Sequence, residues 1–228
     1  MRPVNCLALD TSTNCLSVAL VKDGSLACET SLQVRSGHGG ILLPIIDRVL
    51  ERTHTGRNEI GLIAVGTGPG SFTGLRIGIA TAKGLAMALG CPMAGIPTLD
   101  AMAQGVCPSP MQIMPVLDAK KGELFCALYG SDGSRITVPV NIRPAKIAAL
   151  VDKDTLFVGN GLPLYRDALK ESLQGFFHEG PAHQWHPRAA VIGFMALALP
   201  PESLTADVLP LYVRASDATL LLEKIKKG

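Results

Sequence analysis

CLALDTSTNCLSVALVKDGSLACET (residues 6–30) and MPVLDAKKGELFCALYGSDGSRITV (residues 114–138) are two versions of one pattern. In each, an apolar run ends at an aspartate, Asp10 or Asp118, and a polar turn follows. A second apolar run comes next, then a D-G turn, then a third run. Short apolar runs bounded by turn residues predict a three-stranded meander in each case. Leu9-Asp10 matches Leu117-Asp118, and Ala19-Leu20 matches Ala127-Leu128, at a constant offset of 108 positions. The order continues downstream of both meanders. A helix is expected over residues 41–53 and a strand over 62–65, ending in the G-x-G of Gly66 and Gly68. The second copy repeats this with a helix over 144–151, a strand over 155–158 and the G-x-G of Gly159 and Gly161.

A duplicated β-β-β-α-β-α unit implies two like lobes facing each other. The fold class expected is therefore α/β, in the two-lobed actin-like ATPase (ASKHA, ribonuclease H-like) arrangement, where nucleotide lies between the lobes. Pro and Gly gather between Thr98 and Pro110. This places an N-terminal lobe at 1–100 and a smaller or degenerate C-terminal lobe at 101–228.

Composition narrows the partners. Hydrophobic residues make up 47% of the 228 positions and charged residues 18%, below the roughly 25% usual for soluble domains. The surplus needs a core or a partner to cover it. The longest nearly unbroken apolar run, residues 191–199, is far short of the ~20 residues a spanning helix needs. The run at 4–9 is cut at once by Asp10, so it resembles neither signal peptide nor anchor, and a cytoplasmic location is expected. A net charge of +2 lacks the basic bias of a chain that grips nucleic acid alone, and only the final EKIKKG looks basic. The six cysteines, at 6, 15, 28, 91, 107 and 126, form no C-x-x-C pair, so neither zinc nor disulfides are indicated.

Asp10-Thr11-Ser12-Thr13 has the chemistry of a phosphate-binding turn, an acidic residue followed by hydroxyls. With Gly66 and Gly68 it makes a candidate phosphate site. The matching turn, Asp118-Ala119-Lys120-Lys121, has two cations and no hydroxyl, which leaves the site degenerate. GTGPGSFTGLRIGIATAKGLAMALG (residues 66–90) lacks the lysine of a P-loop and the spacing of G-x-G-x-x-G. It does carry small residues four apart. Gly74, Gly78 and Ala82 lie on one face of a helix, and Ala80, Gly84 and Ala88 on another. Helical glycine costs up to ~1 kcal/mol against alanine, so close approach of another element is the expected compensation. In the helix before it, residues 41–43, 45, 46, 49 and 50 are apolar over an arc wider than a core-facing helix needs. Part of that arc is expected at the surface, and the two helices together are expected to form a docking platform.

GPGSFTGLRIGIATAKGLA (68–86) closely resembles a signature of the bacterial TsaB (YeaZ) family. LALDTST from Leu7, the LLP of residues 42–44, LDAKKGELFCALY from Leu117 and LYVR at 211–214 follow that family's order over nearly the whole chain. The resemblance implies an actin-like fold and a non-catalytic subunit. Such a subunit pairs with the related TsaD, joined by the ATPase TsaE, in a complex that places threonylcarbamoyl on adenosine beside the anticodon of tRNAs reading A-starting codons. It further implies docking through Ile41, Leu42, Ile45, Ile46, Val49, Gly74, Gly78, Ile79, Ala82 and Leu85, and self-pairing through the same surface when TsaD is absent. The chain would hold no cofactor of its own, ATP and metal belonging to its partners. The H-x-x-x-H metal motif of the catalytic relative is broken, since His38 is followed four residues on by Leu42. Ser71 is not in G-x-S-x-G, and His183 with His186 would need a third converging ligand to hold a metal. The alternatives are an independent ATP-binding phosphotransferase built on Asp10, Thr11 and the Gly66 loop, or a peptidase acting on TsaD.

Overall fold

The computed structural model describes residues 4–34 and 37–214. The basic tail noted above lies outside them. Two five-stranded sheets have the same order. The first runs β3 (Ser25–Gln33), β2 (Cys15–Lys22), β1 (Asn5–Asp10), β4 (Ile60–Gly66), β5 (Met93–Ile96). The second runs β8 (Val140–Ile142), β7 (Glu123–Cys126), β6 (Gln112–Lys120), β9 (Thr155–Val158), β10 (Phe177–Glu179). In both, a meander is antiparallel and the remaining strands are parallel to the first. Asp10 and Asp118 occupy equivalent places near the ends of β1 and β6, and the duplication expected from the offset is the architecture found: a two-lobed actin-like fold.

Alternation along β1 divides the first lobe into two layers. Leu7 and Leu9 face one side, with Val18, Leu20, Ile63 and Val65. Over them lie α1 (His38–Arg52) and α2 (Phe72–Leu89). Cys6 and Ala8 face the other side with Ala19, Ala64 and Ala94, and α5 (Ala189–Leu197) packs there. Successive strand residues point to opposite faces, and covering both faces explains why β1 is apolar without a break. The small side chains on the α5 side let that helix come close. A Cβ on Gly193 would sit 3.0 Å from Val21 and 3.3 Å from Ala8.

The expected boundary at residue 100 needs correction, because the lobes exchange helices. α3 (Thr98–Gln104) follows the first lobe, yet Leu99, Met102 and Ala103 pack on Ile113, Leu117 and Tyr129 of the second. α5 follows the second lobe and closes the first. The segment after α5 also returns to the first lobe. Thr205 pairs with Met93, and Val208 is buried in the first core. Residues 101–228 therefore do not form one lobe. In the second lobe α4 (Leu162–Leu173) covers Met114, Val116 and Phe157. The helix expected over 144–151 is a 3₁₀ helix, Pro144–Leu150. In the second copy the middle apolar run of the meander, residues 123–129, is strand only as far as Cys126, and its neighbour β8 begins only at Val140, after Pro139.

Candidate interlobe cleft and docking face

A cavity of about 1170 Å³ separates the lobes. Ser12, Thr13, Gly70 and Ser71 line the first-lobe side, and Asp118, Lys120 and Asn160 the second. The residues read as a phosphate site do come together, with Ser12 and Thr13 alone among them lining this cavity, but their hydrogen-bonding groups face one another. Asp10 is fully buried, and its carboxylate accepts from the Ser12 amide (2.9 Å), the Ser12 hydroxyl (2.7 Å) and the Thr98 hydroxyl (3.4 Å). The Thr11 hydroxyl donates to the Gly74 carbonyl at 2.8 Å. The G-x-G turn is similarly engaged. Gly68 N–H donates to Thr98 Oγ1 and Thr67 N–H to the Ile96 carbonyl. A Cβ on Gly66 would overlap the Asp10 carboxylate. Phosphate recognition needs donors aimed into the cleft, and here the Ser12 amide and the Thr11 and Ser12 hydroxyls are spent on internal bonds.

The second turn is no better suited. Lys120 and Lys121 have positive φ, and Asp118 accepts from Lys120 both at its backbone N–H (2.8 Å) and at Nζ (2.6 Å). Asn160 Oδ1 takes the Asp118 amide at 3.0 Å. These residues do not fit a nucleotide–Mg²⁺ clamp. The Asp10 turn works as a bracket joining β1, α2 and α3. Asp10→Ala is expected to cost about 2–3 kcal/mol by leaving the Ser12 and Thr98 donors buried and unpaired. Thermal unfolding measures that loss, and calorimetry of the wild-type chain should show no Mg²⁺-dependent ATP heat.

The Ser71 side chain accepts from the Gly74 amide as the N-cap of α2, a structural role. His186 Nε2 meets the Gln33 side-chain amide at 2.8 Å, and burial lowers its pKa. Among the described residues, no three His, Cys, Asp or Glu side chains group as metal ligands.

The docking set divides sharply by burial. Leu42, Ile46, Val49, Ile79 and Ala82 lie in the first lobe's own core, at 0–5% exposure. Gly74 and Gly78 are buried as well, and a Cβ on either would strike Thr11, at its carbonyl oxygen and its hydroxyl respectively. The groove of Gly74, Gly78 and Ala82 is therefore filled by this chain's own β1 and the turn after it, which corrects its assignment as a seat for a foreign helix. Their partner is local because Thr11 sits directly after β1, where α2 must cross to start its first turn. Ile41, Ile45 and Leu85 are half-buried at the edge of the same cluster.

The second small-residue face behaves differently. Ala80, Gly84 and Ala88 are exposed, and among the described residues a Cβ on Gly84 would meet nothing within 4 Å. Met87 beside them is 84% exposed and Leu43 on α1 is 50% exposed. Met87 escaped the sequence reading because one methionine at one helical position carries no periodic signal. Phe72 and Tyr212 also escaped it, although they stack at 5.0 Å beside the cleft. Only the LYVR stretch hinted at Tyr212.

Residues 33–192 match the family model described as tRNA N6-adenosine threonylcarbamoyltransferase, TsaD. The tRNA threonylcarbamoyladenosine biosynthesis protein TsaB of Bacillus subtilis is 28% identical over 93% of this chain and 95% of its own length. The Escherichia coli protein of the same name is 40% identical over 57% of each. The chain belongs to the TsaD-type family and, within it, to the TsaB (YeaZ) branch. YeaZ from Pseudomonas aeruginosa has the same fold, with a TM-score of 0.75 at 26% identity, covering 92% of this chain and 99% of that one. The TsaB assignment agrees with the signature over 68–86, most of which is α2.

Proposed function

We propose that this chain is a non-catalytic scaffold subunit in tRNA threonylcarbamoyladenosine biosynthesis, docking a TsaD-like catalytic subunit through the outer faces of α1 and α2. The names carried by its relatives support the pathway. The observation that carries the docking role is the exposed small face of α2, Ala80, Gly84 and Ala88, with Met87 on the same helix and Leu43 on α1 exposed as well. An interior helical glycine with open space above it among the described residues weakens the lone chain and brings no benefit to its own packing. A helix laid over Gly84 would supply the missing contacts, with the half-buried Ile41, Ile45 and Leu85 extending the covered area at the edges. Without the partner, a second copy covers the same face. The TsaE-like ATPase and the tRNA, whose target adenosine lies beside the anticodon, join through the assembled complex. ATP and metal belong to those partners, in keeping with the engaged hydrogen bonds of this chain's Asp10 turn. No residue of this chain is assigned to bond making.

Light scattering tests the reading directly. The lone chain should run as a dimer, and adding a TsaD-type subunit should replace it with a heterodimer of one copy each. A mixture that scatters as two independent species would refute the proposal.

A further inference from the structure

Residues 205–214 run across the cleft, and their anchors change lobe between two adjacent positions. Val208 is buried in the first core, and Leu211 N–H donates to the Thr67 carbonyl at 2.8 Å. Tyr212 stacks on Phe72 at the start of α2, and its hydroxyl accepts from Arg76 Nε at 3.0 Å. The Arg76 guanidinium in turn lies 3.8 Å from the Phe72 ring centroid. The two described residues that follow are anchored in the second lobe. Val213 packs on the cluster of Leu117, Phe125 and Tyr129. Arg214 Nη1 donates to the Ala119 carbonyl at 2.8 Å and lies 3.5 Å from the Glu123 carboxylate. These two partners flank the turn after Asp118.

We infer that Tyr212 and Arg214 form a latch that holds the two lobes closed over the cleft, each pinning one lobe. A ligand touching both walls of a cleft favours the closed arrangement by its contacts to both. Here the chain's own strap makes such contacts. It also occupies the Gly68 turn, where a Cβ would fall 3.0 Å from the Leu211 carbonyl. The latch is built to release. Tyr212 is 42% exposed, and the strap has no regular secondary structure to hold it in place. A strap joined by few, partly exposed contacts opens at lower free energy than the cores it bridges. The charge-assisted bond of Arg214 adds to the packing of Val213 in its hold on the second lobe.

The sole tryptophan reports on this motion. Trp185 lines the same cleft, held within the second lobe by its indole N–H, which donates to the Gly180 carbonyl at 3.0 Å. The test is acrylamide quenching of Trp185 in the lone wild-type chain, in Arg214→Ala and in Tyr212→Ala. Both variants are expected to raise the quenching constant by at least about twofold, with an unchanged far-UV dichroism spectrum. Equal effects from anchors on opposite lobes are the signature of a latch. Quenching unchanged in both variants, or raised in one alone, would reduce the two anchors to separate local contacts and overturn the inference. The lone chain suffices, so the outcome does not depend on whether a TsaD-type partner binds.

Discussion

Gly74→Ala is expected to lower the stability of the lone chain by about 2–3 kcal/mol, while the same substitution at Gly84 raises it by up to about 1 kcal/mol. Both residues lie in α2, Gly74 in its first turn and Gly84 in its interior, and alanine is the better helix former at either place. The difference is what the new methyl meets. At Gly74 it strikes the Thr11 carbonyl, backbone that cannot rotate away, and the close approach also carries the Thr11 hydroxyl bond to the Gly74 carbonyl. Relieving the clash lifts the start of α2 off β1 and opens the bracket around Asp10. At Gly84 the methyl enters open space. Urea denaturation of the two variants separates the effects as midpoint shifts of opposite sign with unchanged slope. For a chain of this length the Gly74 change corresponds to a fall in melting temperature of about 4–12 °C. Midpoints moving in the same direction would show that the two faces of α2 are not packed as described. A bulky group at Gly74 would disrupt the lobe itself, so loss of partner binding in such a variant says nothing about docking.

The duplication was legible because it rests on features that survive divergence: apolar runs ending at an aspartate, D-G turns and a constant offset. These specify strand order without any knowledge of packing. Which lobe each helix covers was not legible. AAVIGFMAL of α5 is apolar around its whole circumference and gives no face to aim. Only the facing surface decides, and the first lobe offers Ala8, Ala19, Ala64 and Ala94 where Gly193 can settle. The stripe of Gly74, Gly78 and Ala82 shows a related limit. Small residues four apart announce that something approaches closely, and the identity of the neighbour is a tertiary fact. Thr11 supplies it on one face. On the other, Gly84 has no neighbour among the described residues. The chemistry of the two aspartate turns was half legible in the same sense. Lys120 and Lys121 show in the sequence that the second turn lacks hydroxyls. That the hydroxyls of Thr11 and Ser12 are turned inward shows only in three dimensions.

Gly84→Arg turns that asymmetry into a test of the docking face. The side chain would project from α2 into solvent, so the lone chain should keep its fold and its melting temperature to within a few degrees. A helix seated on Ala80, Gly84 and Ala88 would have to bury that guanidinium without a partner or move outward by the width of the side chain. Either costs several kcal/mol at the centre of an interface, and affinity for a TsaD-type subunit is expected to fall by about 100-fold or more. Self-association should weaken in parallel, because the same face serves both. Gly84→Ala is the control: its methyl stabilises the free helix yet stands between α2 and a closely packed neighbour, so it should weaken binding by a smaller factor while raising the melting temperature. Titration calorimetry with the TsaD-type subunit measures both variants. Leu43→Glu, on the exposed part of α1, should weaken binding in the same sense. Leu42→Glu would instead place a charge in the first core and unfold the lobe, since Leu42 is fully buried. Wild-type affinity in Gly84→Arg and Leu43→Glu together would move the docking surface off α1 and α2 altogether.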